Sequence, residues 1–188
     1  MSETLPLPLA RDLTFAKQVD QASIDDLSKE ILKINENDRL LVKLYRAYGL
    51  TYVPKPINIY IDSYGGAVYQ IFGLIALIGT SKTPVHTYVT GCAMSCGFLL
   101  LVAGHKRFGY KLSTGLWHSI TSGFWGKLGD LKIELKETKR LGKLADDIIL
   151  EYTKISKSKL KDIIKLKEDW YLPSDEMLAL GVIDEIIL

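Results

Sequence analysis

The segment GCAMSCG, residues 91–97, places a hydroxyl where an alternating apolar stretch ends and a continuous apolar one begins. A serine at a strand-to-helix turn exposes its Oγ and lies beside the N–H groups that open the helix. Those donors are what a tetrahedral oxyanion requires. Gly91, Ala93 and Gly97 are small enough for backbone to approach closely. A serine at a helix start also serves as a plain cap, so Ser95 needs partners before it means chemistry.

The Gly65-Gly66 pair marks a second strand-to-helix junction. In a parallel sheet both junctions fall at the carboxyl edge of the strands, where sites form. The Gly66 N–H can then meet the Ser95 region from the neighbouring strand. No GxxxxGK[ST] or GxGxxG spacing is present, which argues against a phosphate loop.

A serine nucleophile needs a base. Of the three histidines, His86 sits on an alternating strand and His105 in the charged loop GHKR. His118 follows Leu116-Trp117 at the end of a short strand, which makes it the best base candidate. A carboxylate would orient the imidazole. Asp169, beside the apolar run Trp170-Tyr171-Leu172, competes with Asp62 and Asp130, and spacing alone does not choose. Cys96 is a rival nucleophile, but one step into the helix it points inward as a small core residue. Cys92 and Cys96 with a histidine do not form a zinc spacing. Four apart on a helix, their Cβ atoms lie about 6 Å from one another, too far for a disulfide. That absence fits a reducing compartment, the cytoplasm.

The elements that must position these residues alternate. The sequence predicts a helix over 21–37 with Ser23 as N-cap, closed by Asn35–Asn37, and then an irregular stretch, 39–53. Ile57, Ile59 and Ile61 alternate with polar residues as a strand. An apolar helix over 67–79, a strand over 85–90, a helix over 94–103 and short strands at 106–109 and 116–118 follow. This βαβα order implies a largely parallel wound sheet, an α/β fold. Residues 127–167 hold twelve basic and seven acidic side chains around a stripe of Leu128, Leu131, Leu135, Leu141, Leu144 and Ile148. They read as one long amphipathic helix with a solvated basic face. A short helix from Ser174 to Gly181 and a strand in VIDEIIL close the chain.

The 188 residues suit one domain, with residues 1–10 as a loose N-terminal arm and 11–188 as the folded unit. Hydrophobic residues at 47% and charged residues at 24% exclude a mostly disordered chain. A net charge of +2 with interleaved signs gives no footprint for nucleic acid. No apolar run reaches the roughly 18 residues of a membrane span, and the N-terminus lacks the layout of a secretory signal.

Four segments in order resemble the proteolytic subunits of the Clp proteases, the ClpP family of self-compartmentalising serine peptidases. They are IYIDSYGG, GCAMSCGFLLLVAGHKRF, GLWHS and DWYLPSDEMLALGVIDEII. The resemblance covers about residues 11–188. By position it implies Ser95 as nucleophile, His118 as general base and Asp169 as orienting acid, with the Gly66 and Cys96 amides as oxyanion hole. It implies a crotonase-like spiral of βαβ units and a protruding handle helix at about 122–153. Peptide would add as a strand beside Gly65 and the segment Gly123, Phe124 and Trp125. It further implies protein substrates, a homo-oligomer of heptameric rings stacked to a tetradecamer, and no cofactor, ATP being used by a partner AAA+ unfoldase.

The chain departs from the family pattern at several points. Tyr64 replaces the usual Pro before the glycines, Ile120 the Pro after the histidine, and Trp170 an Arg that pairs across rings. The family's axial loops and first helix lack counterparts in the ten residues before Arg11, and 39–53 resembles an insertion. These changes suit a divergent, phage-borne version. The alternatives are a signal-peptide peptidase A-like enzyme with a Ser/Lys dyad through Lys106 or Lys111, a phage maturation protease, a non-catalytic scaffold subunit of a mixed ring, and an acyl-CoA-binding crotonase.

Overall fold

A computed structural model describes residues 7–121, 123 and 125–188; Ser122, Phe124 and the first six residues of the arm lie outside it. The elements run β1 (Asp12–Phe15), α1 (Gln21–Ala47), β2 (Ile57–Ser63), α2 (Val68–Thr80), β3 (Val85–Met94), α3 (Cys96–Val102), β4 (Lys106–Tyr110), β5 (Thr114–Trp117), α4 (Leu128–Tyr152), α5 (Lys157–Leu166), β6 (Trp170–Pro173), α6 (Ser174–Ala179) and β7 (Glu185–Ile187).

Alternation makes the strands. Ile57, Ile59 and Ile61 are fully buried, while Asn58 and Tyr60 between them stay partly accessible. The sheet order is β1-β2-β3-β4-β7, with β5 and β6 branching from β3. β3 forks: His86 to Val89 pair with β4, and Cys92 to Met94 pair with β5. The fork opens the sheet beside Ser95, which immediately follows β3. Every ladder is parallel except β5 with β6, where Trp117 faces Trp170. This is the α/β architecture of βαβ units read from the sequence.

Helix α3 is buried along its whole length and forms the centre of the core. It packs on α2, whose Ile71, Leu74, Ile75 and Ile78 are buried at helical spacing. Phe98 of α3 tilts against Trp117 at 5.9 Å between ring centroids.

Several expectations are corrected. The N-cap of α1 is Asp20, which accepts from the Ser23 N–H at 2.7 Å, while Ser23 Oγ accepts from the Asp20 N–H at 3.0 Å. Ser23 is therefore the N3 member of a capping box. The helix does not stop at Asn37 but runs on to Ala47. Its polar residues mid-helix have tertiary partners: Asn35 accepts from Ser81 Oγ, and buried Asp38 binds Arg11. The basic stretch is two helices, because Thr153 caps α4 and Ser156 opens α5 by accepting from the Lys159 N–H at 3.1 Å. Strands β1 and β6 were not foreseen; each has four residues, too few to show a period.

Helix α4 buries only Leu141, Ala145 and Ile149. Every residue from Trp125 to Lys136 is exposed, so α4 stands clear of the body up to Glu137, which accepts from the Tyr69 hydroxyl at 2.6 Å. Among the described residues no helix is long and apolar enough to cross a membrane.

Candidate active site

Ser95 occupies the tight turn between β3 and α3 with φ 53° and ψ −117°. For a residue with a Cβ this backbone is strained by roughly 1–3 kcal/mol and persists only where neighbours impose it. They do so on both sides. The Ser95 N–H donates to the Leu116 carbonyl at 3.0 Å, and the Ser95 carbonyl accepts from the Phe98 and Leu99 amides at 3.0 and 3.2 Å. The strain itself was not legible in the sequence.

The Gly65-Gly66 turn lies directly against this residue. Gly65, at φ 93°, sits so close that a Cβ there would stand 2.6 Å from the Met94 carbonyl oxygen, 2.8 Å from Ser95 Cβ and 2.9 Å from Cys96 N. Gly66, at φ 147°, bridges to Val19, and a Cβ on it would overlap the Val19 carbonyl. The bridge uses the Gly65 carbonyl and the Ala67 N–H, each at 2.7 Å. The Gly66 N–H is left over, and the Cys96 N–H falls at the first helical position, where no intrahelical acceptor exists. Among the described residues neither donates to a backbone carbonyl.

Two buried groups that sequence reasoning missed hold this arrangement. Ser63 Oγ donates to the Lys17 carbonyl at 2.6 Å and accepts from the Gly65 N–H at 3.2 Å. The Cys96 thiol donates to the Gly66 carbonyl at 3.1 Å. A hydroxyl two residues before a glycine pair is a readable signal for such a turn. Burial pushes the Cys96 thiol up to about 11, and with its bond to the Gly66 carbonyl this favours a buried donor over a thiolate nucleophile.

Ser95, Cys96, Gly65, Gly66 and His118 wall one cavity of about 270 Å³, with Val68, Leu99, Trp117, Ile120 and Ala145 as its apolar lining. His118 follows β5 directly. Its Nδ1 lies 2.6 Å from the Ser119 carbonyl. A carbonyl only accepts, so Nδ1 carries the proton and Nε2 keeps its lone pair. A larger cavity, about 740 Å³ between α1 and the end of α2, contains none of these residues.

Asp169 is exposed and does not line the 270 Å³ cavity. It directly precedes Trp170, whose partner Trp117 directly precedes His118, at the end of the β5–β6 ladder. Its rivals have other tasks. Asp62 accepts from the Cys92 N–H at 3.0 Å, and Asp130 accepts from the Lys127 N–H at the start of α4. The other histidines are also engaged. His105 Nδ1 accepts from the Val85 N–H at 2.9 Å, and His86 leans on Phe108. Lys106 pairs with Glu185 at 3.2 Å, and neither it nor Lys111 reaches the cavity wall. Gly123 and Trp125 are exposed and outside that wall, and Phe124 lies outside the described residues. Trp170 is held inside the chain by Glu176, at 3.2 Å from its indole N–H, and by the Lys159 ammonium over its ring. Among the described residues no three His, Cys, Asp or Glu side chains stand together as a metal site.

A wound parallel sheet that carries a serine on a strained turn, beside a double-glycine turn and a histidine, defines an α/β architecture of the Clp protease type. The family model described as Clp protease matches residues 10–188, and the chain belongs to that family. It is 33% identical over 133 residues to the ATP-dependent Clp protease proteolytic subunit of Deinococcus radiodurans, covering 70% of this chain and 64% of that protein. It is 34% identical over 140 residues to the ATP-dependent Clp protease proteolytic subunit 2 of Treponema pallidum, covering 72% and 68%. The matched segment thus spans about two thirds of each relative.

Proposed function

We propose that the chain is a serine endopeptidase that cleaves unfolded polypeptide through an acyl-enzyme. The supporting observation is the cavity shared by strained Ser95, His118 and the unclaimed N–H groups of Gly66 and Cys96. His118 Nε2 takes the Ser95 proton as Oγ attacks the peptide carbonyl. The C=O π pair moves onto oxygen, and the two amide donors receive that charge. Collapse breaks the C–N bond as His118 protonates the leaving amine. Water, deprotonated by His118, then releases the acyl chain from Ser95. Asp169 orients the imidazolium from across the β5–β6 register. Nucleophile, base and donors are all supplied by the chain, so no cofactor enters the reaction, and any ATP is spent by a partner unfoldase.

The exposed first half of α4 supports assembly into face-to-face rings, which would confine the site to a chamber. Ser95→Ala should abolish peptide cleavage and labelling by a fluorophosphonate probe. Labelling that persists in this variant removes Ser95 as the nucleophile. Negative-stain images of the labelled particle would show whether it is a stacked double ring.

A further inference from the structure

A second cavity, about 350 Å³, lies against the first and shares Trp117 and Ile120 with it. The Ser119–Ile120 segment after His118 forms part of its wall, so it neighbours the cavity walled by Ser95 and His118. Its floor is apolar, from Trp117, Ile120 and Ile164. One carboxylate, that of Asp146 on α4, enters this lining half-buried. Among the described residues no hydrogen bond or ion pair engages it. Burial, with the neighbouring Asp147 charge, pushes its pKa up to about 6.

Two cations also border the cavity, Lys139 and Lys143. Lys143 leans out, with its side chain 80% exposed and its ammonium 3.8 Å from Asp147. Lys139 is exposed on the same helix. Neither lysine neutralises Asp146. The carboxylate is therefore a desolvated acceptor at the edge of an apolar slot, and a long aliphatic side chain tipped with a donor complements both features.

Resting on the peptidase reading, we infer that this cavity is a specificity pocket, and that Asp146 selects lysine or arginine at a residue flanking the cleaved bond. The stem would lie on Trp117, Ile120 and Ile164, and the cationic head would meet the carboxylate. A glutamate at that residue would be rejected, because its charge would face Asp146 across a partly dry cavity.

The test uses the assembled full chain and internally quenched peptides that differ only in the residue on either side of the cut. Lysine, norleucine and glutamate are compared at each position. The wild-type enzyme should cleave the lysine peptide with kcat/KM roughly tenfold or more above the glutamate peptide. Asp146→Asn should shrink the lysine-to-norleucine ratio by about tenfold, whatever the absolute rate, and Asp146→Lys should turn the preference towards glutamate. A wild-type enzyme indifferent between lysine and glutamate sinks the inference without recourse to any variant. So does a ratio that Asp146→Asn leaves alone. Both results presuppose that Ser95 labels and peptides are cut. A chain that neither labels nor cleaves overturns the peptidase reading and this inference together.

Discussion

The Cys96 thiol donates to the Gly66 carbonyl at 3.1 Å and so joins the two strand-to-helix turns that pack against each other at the wall of the cavity. The bond turns the Gly66 peptide, whose carbonyl is now occupied. Burial keeps the thiol protonated, with the Cys92 and Cys96 pKa values both pushed up to about 11. At pH 8 only on the order of one thiol in a thousand is then ionised. Iodoacetamide should alkylate native Cys92 and Cys96 at least about a hundredfold more slowly than the same residues in urea. Rapid alkylation of the native protein would show a thiolate where the structure places a donor. Cys96→Ala should lower turnover several-fold while leaving Ser95 reactive to the probe.

Gly65 and Gly73 make a matched pair of substitutions. At Gly65 an added methyl meets the Met94 carbonyl, Ser95 Cβ and Cys96 N, all under 3.0 Å, and φ is 93°. Gly65→Ala should cost about 2–4 kcal/mol and reduce probe labelling by at least about a hundredfold. Gly73, exposed within α2, has nothing within 4 Å. Gly73→Ala should raise stability by about 0.5–1 kcal/mol and leave labelling intact. Comparable melting temperatures for the two variants would contradict the close approach of the turns.

The contrast explains what was legible beforehand. The alternation of Ile57, Ile59 and Ile61 and the continuous apolar run at 97–103 revealed β2 and α3, because burial on one or all faces leaves a period in the sequence. Ser95, Gly65, Gly66 and His118 were readable from residue type at the ends of those elements. The positive φ of Ser95, the Ser63 bond to the Lys17 carbonyl and the Cys96 bond were not, since each depends on contacts between residues more than twenty positions apart or on tertiary strain. The end of α1 was misread for the same reason. Asn35 and Asn37 look like a stop signal, yet Asn35 spends its polarity on Ser81 and Thr83, and the next residue, Asp38, is engaged by Thr83 and Arg11.

Asp38 anchors that network. Arg11 donates to both its oxygens at 2.6 and 2.5 Å, Thr83 Oγ1 at 2.6 Å and the Tyr52 hydroxyl at 3.0 Å. Burial would raise the carboxyl pKa, but the bonds from Arg11, Thr83 and Tyr52 outweigh it and hold the group below its ordinary value. A carboxylate depressed in the folded state adds stability above its unfolded pKa, near 3.9, and that contribution is lost as pH falls through the folded value. Urea midpoints should therefore decline below about pH 4. Asp38→Ala should flatten this part of the decline and, at pH 7, cost about 3 kcal/mol by leaving the Arg11 guanidinium unpaired. An unchanged acid limb in the variant would show that other carboxylates govern acid unfolding.

Leu128, Ile133 and Leu135 are 69%, 68% and 53% exposed on the half of α4 that buries nothing. An apolar surface on a projecting helix favours a partner surface. Converting Leu131 and Leu135 to Glu should halve the particle mass in light scattering if this helix joins two rings. The melting temperature of each ring should move little, because neither residue touches the core. A variant that keeps the wild-type mass would assign assembly to another face.

His118 and Asp169 form the last test, because the tautomer of the imidazole already has a keeper. The Ser119 carbonyl at 2.6 Å requires the proton on Nδ1, so Nε2 is ready as a base before any carboxylate arrives. In the proposed mechanism Asp169, the residue before Trp170, would add charge for the imidazolium rather than tautomer control. His118→Ala should then cost on the order of 10⁴-fold or more in kcat. Asp169→Asn should cost only about 10- to 100-fold, because the backbone carbonyl still holds the ring. Equal losses in the two variants would mean that the Ser119 bond breaks in the working enzyme and that Nδ1 turns to Asp169 before the serine attacks.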